Sequence, residues 1–260
     1  VALADRFDGL LVDLDGVVWI GREPVPGSPE ALRALLEAGK RIVFVTNNPG
    51  RLPAAYAERL RELGVEVGAE QIVTAGVVVA RLAGEAAGEG GAFVIGAAAL
   101  KEMVAATGAR LLEGEEAWEA KAVVVSGHRG FDYGELVTAK RALERGAALF
   151  ATSHDPTMPY PGGELPGTGA ILAAVETASG RRAEIAGKPE RHLFEMARQA
   201  LGECESVAMV GDRLNSDIEG GRRAGLETIL VLSGTTSREE AGAASPAPDF
   251  VLENLSGLLA

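Results

Sequence analysis

Eight short runs of apolar, largely β-branched residues recur along the chain. They are Leu10–Val12, Ile42–Val45, Phe93–Ile95, Ala122–Val125, Ala147–Phe150, Val207–Val210, Thr228–Leu232 and Phe250–Leu252. None alternates apolar with polar residues. A strand with one wet face shows period-two alternation, and a strand covered on both faces does not. The runs therefore read as buried strands. Helix-length segments lie between them. Pro29–Ala38 follows Ser28, a good cap, carries Pro at its first position and stops at Gly39. Pro53–Leu63 stops at Gly64, and Gly134–Arg145, Arg191–Leu201 and Asp217–Ala224 read similarly. Strands alternating with helices specify an α/β protein with mostly parallel sheets.

The chain has 260 residues, 47% of them apolar, enough for one large core or two modest ones. Composition shifts at Gly84–Gly91, rich in Gly, Ala and Glu, and again at Ser179–Gly187. Three of the apolar runs lie between these stretches. The expected division is a core domain formed by residues 1–80 and 185–260, with a second α/β domain inserted at 81–184 and Gly-rich hinges at both edges. Ser237–Pro248 reads as a surface loop.

Composition also excludes some functions. A net charge of −12 repels nucleic acid and anionic lipid. No apolar run is long enough to span a bilayer, and the first residues lack the basic-then-apolar pattern of a signal peptide. The single cysteine, Cys204, excludes an internal disulfide framework and fits a reducing cytoplasm. An acidic chain can still bind an anionic ligand, through a local cation.

Four stretches carry candidate chemistry. In "LLVDLDGVVWI" a buried strand runs into Asp13 and Asp15. Residues at i and i+2 of a strand share a face, so two carboxylates there repel unless a cation lies between them or one holds a proton. The same letters also read as a hairpin with an Asp15-Gly16 turn. In "IVFVTNN" a strand delivers Thr46 and Asn47 to its C-terminal end. Their side chains and backbone N–H groups suit phosphate oxygens, and they are equally ordinary turn material. In "IAGKPE", Lys188 stands at a rigid Gly/Pro corner, either neutralising an anion or solvated at a turn. In "VAMVGDRLNSDI" a strand ends at Gly211, followed by Asp212 and Asp217. Carboxylates at that point are hard oxygen donors suited to Mg²⁺, although Asp217 also reads as a helix N-cap. Strand C-termini of an open parallel sheet face one crevice, so these residues can converge despite their separation in sequence.

Taken in order, "DLDGV", "VTNN", "GKP" and "GDRLNSD" resemble the four motifs of the haloacid-dehalogenase-like phosphatases. The insertion between the second and third motifs is similar to the α/β cap of the NagD/nitrophenylphosphatase-like subgroup. The resemblance covers nearly the whole chain. It implies a Rossmann-like parallel-sheet core domain with an inserted α/β cap domain. "FATSHDPTMPYPGGELPGTGAI", Phe150 to Ile171, resembles a cap segment of that subgroup that commonly reads Thr-Asn-x-Asp and then Pro-Gly-x-Gly-Ala. Ser153 replaces the usual Asn here, and Asn215 stands where relatives often carry an acid.

The resemblance implies a Mg²⁺-dependent phosphatase acting on a small-molecule phosphate monoester. Asp13 is the expected nucleophile, forming an aspartyl-phosphate, and Asp15 the general acid and then base. Asp13, Asp212 and the backbone carbonyl of Asp15 are the expected metal ligands. Asp217 is expected behind them, orienting Lys188 or metal-bound water. Thr46, Asn47 and Lys188 are the expected phosphoryl contacts. His154 and Asp155, with Met158 and Tyr160, are candidates for the leaving group. Caps of this subgroup often mediate dimers, so a homodimer is expected. Two alternatives share the fold: a phosphoacceptor signalling domain of the response-regulator type, and a catalytically idle binding protein. A dinucleotide-binding module is disfavoured, because no Gly-x-Gly-x-x-Gly follows the first strand.

Overall fold

The computed structural model describes residues 2–160 and 163–260, with backbone alone at 159, 160, 163 and 164. The chain runs through β1 (Gly9–Asp13), β2 (Trp19–Ile20), β3 (Glu23–Pro24), α1 (Ser28–Glu37), β4 (Arg41–Thr46), α2 (Pro53–Glu62) and β5 (Ile72–Thr74). It continues through α3 (Ala75–Ala87), β6 (Ala92–Ile95), α4 (Ala98–Ala106), β7 (Ala122–Val125), α5 (Tyr133–Glu144), β8 (Ala148–Ala151), β9 (Thr157–Tyr160), β10 (Gly163–Pro166), α6 (Thr168–Ser179) and β11 (Glu184–Ile185). It closes with α7 (Arg191–Leu201), β12 (Val207–Gly211), α8 (Glu219–Arg223), β13 (Glu227–Val231), α9 (Arg238–Ala243) and β14 (Phe250–Leu252).

The chain divides into two compact units. The first comprises residues 1–46, 53–73 and 188–260, the second 47–52 and 74–187. The breaks fall at Val73/Thr74 and Gly187/Lys188, where composition pointed to 80/81 and 184/185. Gly84 lies inside α3 and Gly88–Gly90 form a short 3-10 turn directly after it, so the Gly-rich stretch belongs to the second unit and is not an edge.

The sheet of the first unit has the order β14-β13-β12-β1-β4-β5. β1 pairs in parallel with β12 on one side and β4 on the other, and β13 and β14 extend the sheet in parallel. All five residues of β1 are buried, as an unalternating apolar run requires. Leu10, Val12, Ile42, Phe44, Val210 and Ile229 share one core with Leu32, Leu35 and Leu60 of the adjacent helices. Their neighbours of opposite pleat, Leu11, Val43, Met209 and Leu230, are buried as well. Each such side chain contributes about 1.5–3 kcal/mol by leaving water. The strong central pairing matters to function because it fixes where the strands end.

The second unit has its own four-stranded sheet, β11-β8-β7-β6, also parallel. α5 and α6 supply Ala139, Ala142, Leu143, Ile171, Leu172 and Val175 to a core with Val123, Val125, Leu149 and Ala151. β9 and β10 form an antiparallel hairpin. No helix among the described residues is long and apolar enough to cross a membrane.

Three local expectations are corrected. Ser28 is not a cap: Gly27 holds that position with φ 81°, and the buried Ser28 hydroxyl donates to the Val17 carbonyl at 2.8 Å. Residues 238–243, read as loop, form α9, started by a capping box in which Ser237 accepts from the Glu240 N–H and Glu240 accepts from the Ser237 N–H. Asp217 does not cap a helix: it lies within a π-type turn, Leu214–Ile218, that precedes α8. Ser28→Ala should leave the Val17 carbonyl buried without its donor and cost about 1–3 kcal/mol. Urea unfolding measures it, and a loss within error would show that the Ser28 bond contributes nothing net.

Candidate active site

β1, β4 and β12 lie side by side and end at Asp13, Thr46 and Gly211, so the first unit presents one chemical edge. β1 does not turn back as a hairpin. Its partners on both sides are parallel strands from distant sequence.

Asp13 is the last residue of β1 and is buried. Its Oδ1 accepts from Lys188 Nζ at 2.5 Å. Lys188 Nζ also lies 2.7 Å from Asp217 Oδ1, and all three side chains are buried. Asp212 follows the end of β12. One oxygen from each of Asp13, Asp212 and Asp217 falls within 4.8 Å of the others. Asp217, expected behind the metal ligands, places its carboxylate in the same group of three acids. The π-type turn does this. The N–H groups of Asp217 and Ile218 both donate to the Arg213 carbonyl, and Asp217 Oδ2 accepts from the Arg213 N–H at 3.0 Å. Such wide turns recur at functional sites because they re-aim a side chain.

Glycines let backbone approach these acids. A Cβ on Gly211 would meet the Asp217 carboxyl at 2.2 Å. Gly16 and Gly234 flank Asp212: a Cβ on either would lie 2.4 or 2.1 Å from Asp212 Oδ2. Gly16 also adopts φ 91°, a conformation that strains other residues. Asp212 Oδ2 accepts from the Thr235 N–H at 2.6 Å. Gly234 and Thr235 escaped sequence reasoning, since nothing local in "SGTTS" signals a partner so far away.

Three carboxylates against one ammonium leave the cluster short of positive charge. Burial drives Asp13 well above the ordinary carboxylate range; Lys188 opposes this, and Asp217 and Asp212 add to it. Burial likewise raises Asp212, with Asp217 next in effect. Burial alone would lower Lys188, but Asp13 and Asp217 outweigh it and hold the ammonium above its usual value. Asp212 Oδ1 is buried with no hydrogen-bond donor among the described residues. An orphaned hard oxygen, two neighbouring carboxylates and a net negative charge fit a divalent cation that prefers oxygen ligands.

Asp15 departs from the expected shared face. β1 ends at Asp13, and the Leu14 carbonyl accepts from the N–H groups of Val17, Val18 and Trp19 in a tight turn. Asp15 is therefore exposed and outside the carboxylate cluster. Its Oδ1 accepts from the Trp19 indole N–H at 3.0 Å. Thr46 is buried at the end of β4. Asn215 is exposed on the π-type turn.

Asn47, His154 and Asp155 belong to the second unit. The structure brings Asn47 and Asp155 together, Nδ2 to Oδ2 at 3.5 Å, and leaves His154 exposed. Ser153, in place of the usual Asn, is buried and accepts from the Asp155 N–H. The Pro-Gly-Thr-Gly-Ala stretch has a packing reason: a Cβ on Gly169 would lie 2.3 Å from the His154 carbonyl oxygen, and one on Gly167 2.5 Å from that of Asp155. Met158 is half-buried, and the Tyr160 side chain lies outside the described residues.

A haloacid dehalogenase-like hydrolase model matches residues 10–110, and a HAD-hydrolase-like model matches residues 185–258. The human glycerol-3-phosphate phosphatase is 38% identical, over 99% of this chain and 92% of its own length. Mouse chronophin is 38% identical, over 96% of this chain and 91% of its own. Among solved structures, the p-nitrophenyl phosphatase from Archaeoglobus fulgidus superposes with a TM-score of 0.90 at 32% identity, covering 97% of this chain and 98% of that one. The glycerol phosphate phosphatase of Mycobacterium tuberculosis in complex with magnesium gives a TM-score of 0.90 at 36% identity, covering 100% of this chain and 78% of that one. The parallel sheet that ends in acids, the inserted α/β unit and these likenesses agree: the chain belongs to the haloacid-dehalogenase-like phosphatases, in the NagD/nitrophenylphosphatase-like subgroup, and is a phosphoric monoester hydrolase.

Proposed function

We propose that the protein hydrolyses a small-molecule phosphate monoester with Mg²⁺ as its metal and an aspartyl-phosphate on Asp13 as intermediate. The observation that carries this reading is the buried trio Asp13, Asp212 and Asp217 around Lys188, with one Asp212 oxygen lacking a donor.

The side chains of Asp13 and Asp212 and the backbone carbonyl of Asp15 would hold the metal, and the position of Asp217 adds a further carboxylate beside it. Bound there, Mg²⁺ would neutralise phosphate charge and relieve the crowding of the acids. Asp13 attacks phosphorus as the ester P–O bond breaks, and Asp15 gives its proton to the departing oxygen. Asp15, now ionised, takes a proton from the water that attacks the acyl phosphate, which releases phosphate and restores Asp13. Lys188 holds the Asp13 carboxylate in place and offsets charge on the phosphoryl oxygens. Thr46 supplies a hydroxyl to those oxygens. The substrate roles of Asn47, His154 and Asp155 rest on the family resemblance. Glycerol phosphate and p-nitrophenyl phosphate, named for the relatives above, are the first esters to test on this chain.

Phosphate release over a phosphometabolite panel should require Mg²⁺, vanish with chelator and return on adding the metal. Asp13→Asn should abolish it, since in this reading the acyl phosphate forms on the Asp13 carboxylate. Turnover by that variant, or undiminished turnover under chelation, would refute the reading.

Metal should also change stability. Asp13 and Asp212 bind protons more tightly folded than unfolded, so the metal-free protein loses stability as pH rises from the ordinary carboxylate range through their raised values. Mg²⁺ takes the place of those protons, so its stabilisation should grow with pH over that window. It should reach about 2.7 kcal/mol at a hundredfold excess over Kd. Thermal unfolding with and without Mg²⁺ at several pH values measures this. In Asp212→Asn the Mg²⁺ shift should shrink or disappear.

A further inference from the structure

The loop after β1 carries a tryptophan, Trp19, against Asp15. Trp19 is fully buried, and its indole N–H donates to Asp15 Oδ1 at 3.0 Å. Its ring is held from the other side: the Arg59 guanidinium lies 3.9 Å from the ring centroid, and Arg59 also donates to the Gly21 carbonyl at 2.6 Å. The backbone closes the same loop, with the Gly16 N–H donating to the Trp19 carbonyl at 2.7 Å and the Trp19 N–H donating to that of Leu14 at 3.3 Å. An exposed aspartate would ordinarily rotate among several orientations. This one is tethered to a buried side chain that is itself packed against Arg59.

We propose that Trp19 is a positioning residue for proton transfer: it fixes the Asp15 carboxyl and decides which of its oxygens carries the proton. The inference rests on the reading of Asp15 as general acid. An indole N–H donates and cannot accept. A proton on Oδ1 would face that N–H, so in this reading a proton carried by Asp15 would sit on Oδ2, leaving that oxygen for the departing group. As the ester P–O bond breaks, its electron pair stays on the leaving oxygen, which takes the proton from Oδ2. The bond to Asp13 forms at phosphorus, and Asp15 is left as a carboxylate whose Oδ1 keeps the indole bond. In the second step Asp15 is already ionised and takes a proton from water, a step common to every ester. The indole bond therefore matters most in the first transfer, where the leaving oxygen must receive the proton.

Leaving groups separate this role from a merely structural one. An alkyl ester such as glycerol 3-phosphate departs as a poor leaving group and needs the proton, whereas p-nitrophenolate departs with little help. Replacing Trp19 alone with 3-benzothienylalanine preserves the ring and deletes the N–H. We expect kcat on glycerol 3-phosphate, or on the best alkyl ester of the panel, to fall about tenfold or more, within the range that acid–base groups contribute, with KM little changed. Turnover of p-nitrophenyl phosphate and the melting temperature should hold. Trp19→Phe, which keeps an aromatic face for Arg59, should show the same split with a larger structural component. Unchanged kcat on both esters would overturn the proposal, as would equal losses on both. If Asp15→Asn retains alkyl-ester turnover, the general-acid reading itself fails. If Asp15→Asn is inactive while the benzothienyl protein is unaffected, only the inference about Trp19 fails.

Discussion

The ion pair between Lys188 and Asp13 is the constraint on which the rest of the active edge depends. It joins residues 175 positions apart and brings the chain that follows the inserted unit back to the end of β1. Both partners are buried, and burying two charges usually costs as much as their attraction returns. A pair of well-packed apolar side chains would hold those elements together as well. What an apolar pair cannot do is oppose, with a fixed positive charge, the upward pull that burial and two further acids exert on Asp13. Lys188 touches Asp13 and Asp217 together, so a single ammonium spans two of the three carboxylates. The third, Asp212, is held by backbone instead, through the Thr235 N–H and the close approach of Gly16 and Gly234. The arrangement is stable enough to fold and still deficient in positive charge, which is the condition a site for a divalent cation must meet.

The parallel sheet was legible in sequence because its signal is redundant. Each residue of a run such as Ile42–Val45 is apolar on its own, so no register needs to be guessed. The order of the acids and the lysine along the chain was legible for a related reason: parallel strands collect their C-termini on one edge whatever the connections between them. The failures were local and physical. Ser28 offered a good cap, but its hydroxyl found a buried carbonyl at Val17, and Gly27 took the cap position with a backbone that only glycine adopts freely. Ser237 and Glu240 form a capping box over a helix of six residues, too short for hydrophobic periodicity to announce. The Gly84–Gly91 stretch looked like a hinge by composition. Yet Ala83 and Ala87 are buried core residues of α3, and the glycines between and after them serve that helix and its exit.

Asp217 shows why the acidic cluster was harder to read than the fold. In sequence it stands where a helix begins, and an acid there is usually a cap. Its actual position follows from a turn one residue wider than an α-helix, stabilised by the Asp217 side chain and the Arg213 backbone. No single-residue propensity specifies such a turn. It arises because the carboxylate has two oxygens with separate tasks: Oδ2 closes the turn and Oδ1 meets Lys188. Gly211 makes room for both, since any side chain there would collide with the same carboxyl.

The two aspartates of "DLDG" reach different ends through one backbone event. Had β1 run on for two more residues, Asp13 and Asp15 would share a face, a burial and a field, and their protons would be coupled. Instead the strand stops at Asp13, and three N–H groups converge on the Leu14 carbonyl to turn the chain. Gly16, with its positive φ, allows the turn and leaves Asp212 the space beside it. Asp13 remains buried against Lys188, where a fixed cation would suit the nucleophile of the proposed reaction. Asp15 emerges at the surface, held by the indole N–H of the buried Trp19, where water can reach it. One turn sends two acids of one residue type into two environments, which would suit the two chemistries proposed for them. In the proposed reaction a nucleophile and a proton carrier must reach the same ester from different directions, so the separation that the turn produces is one that this reaction would require.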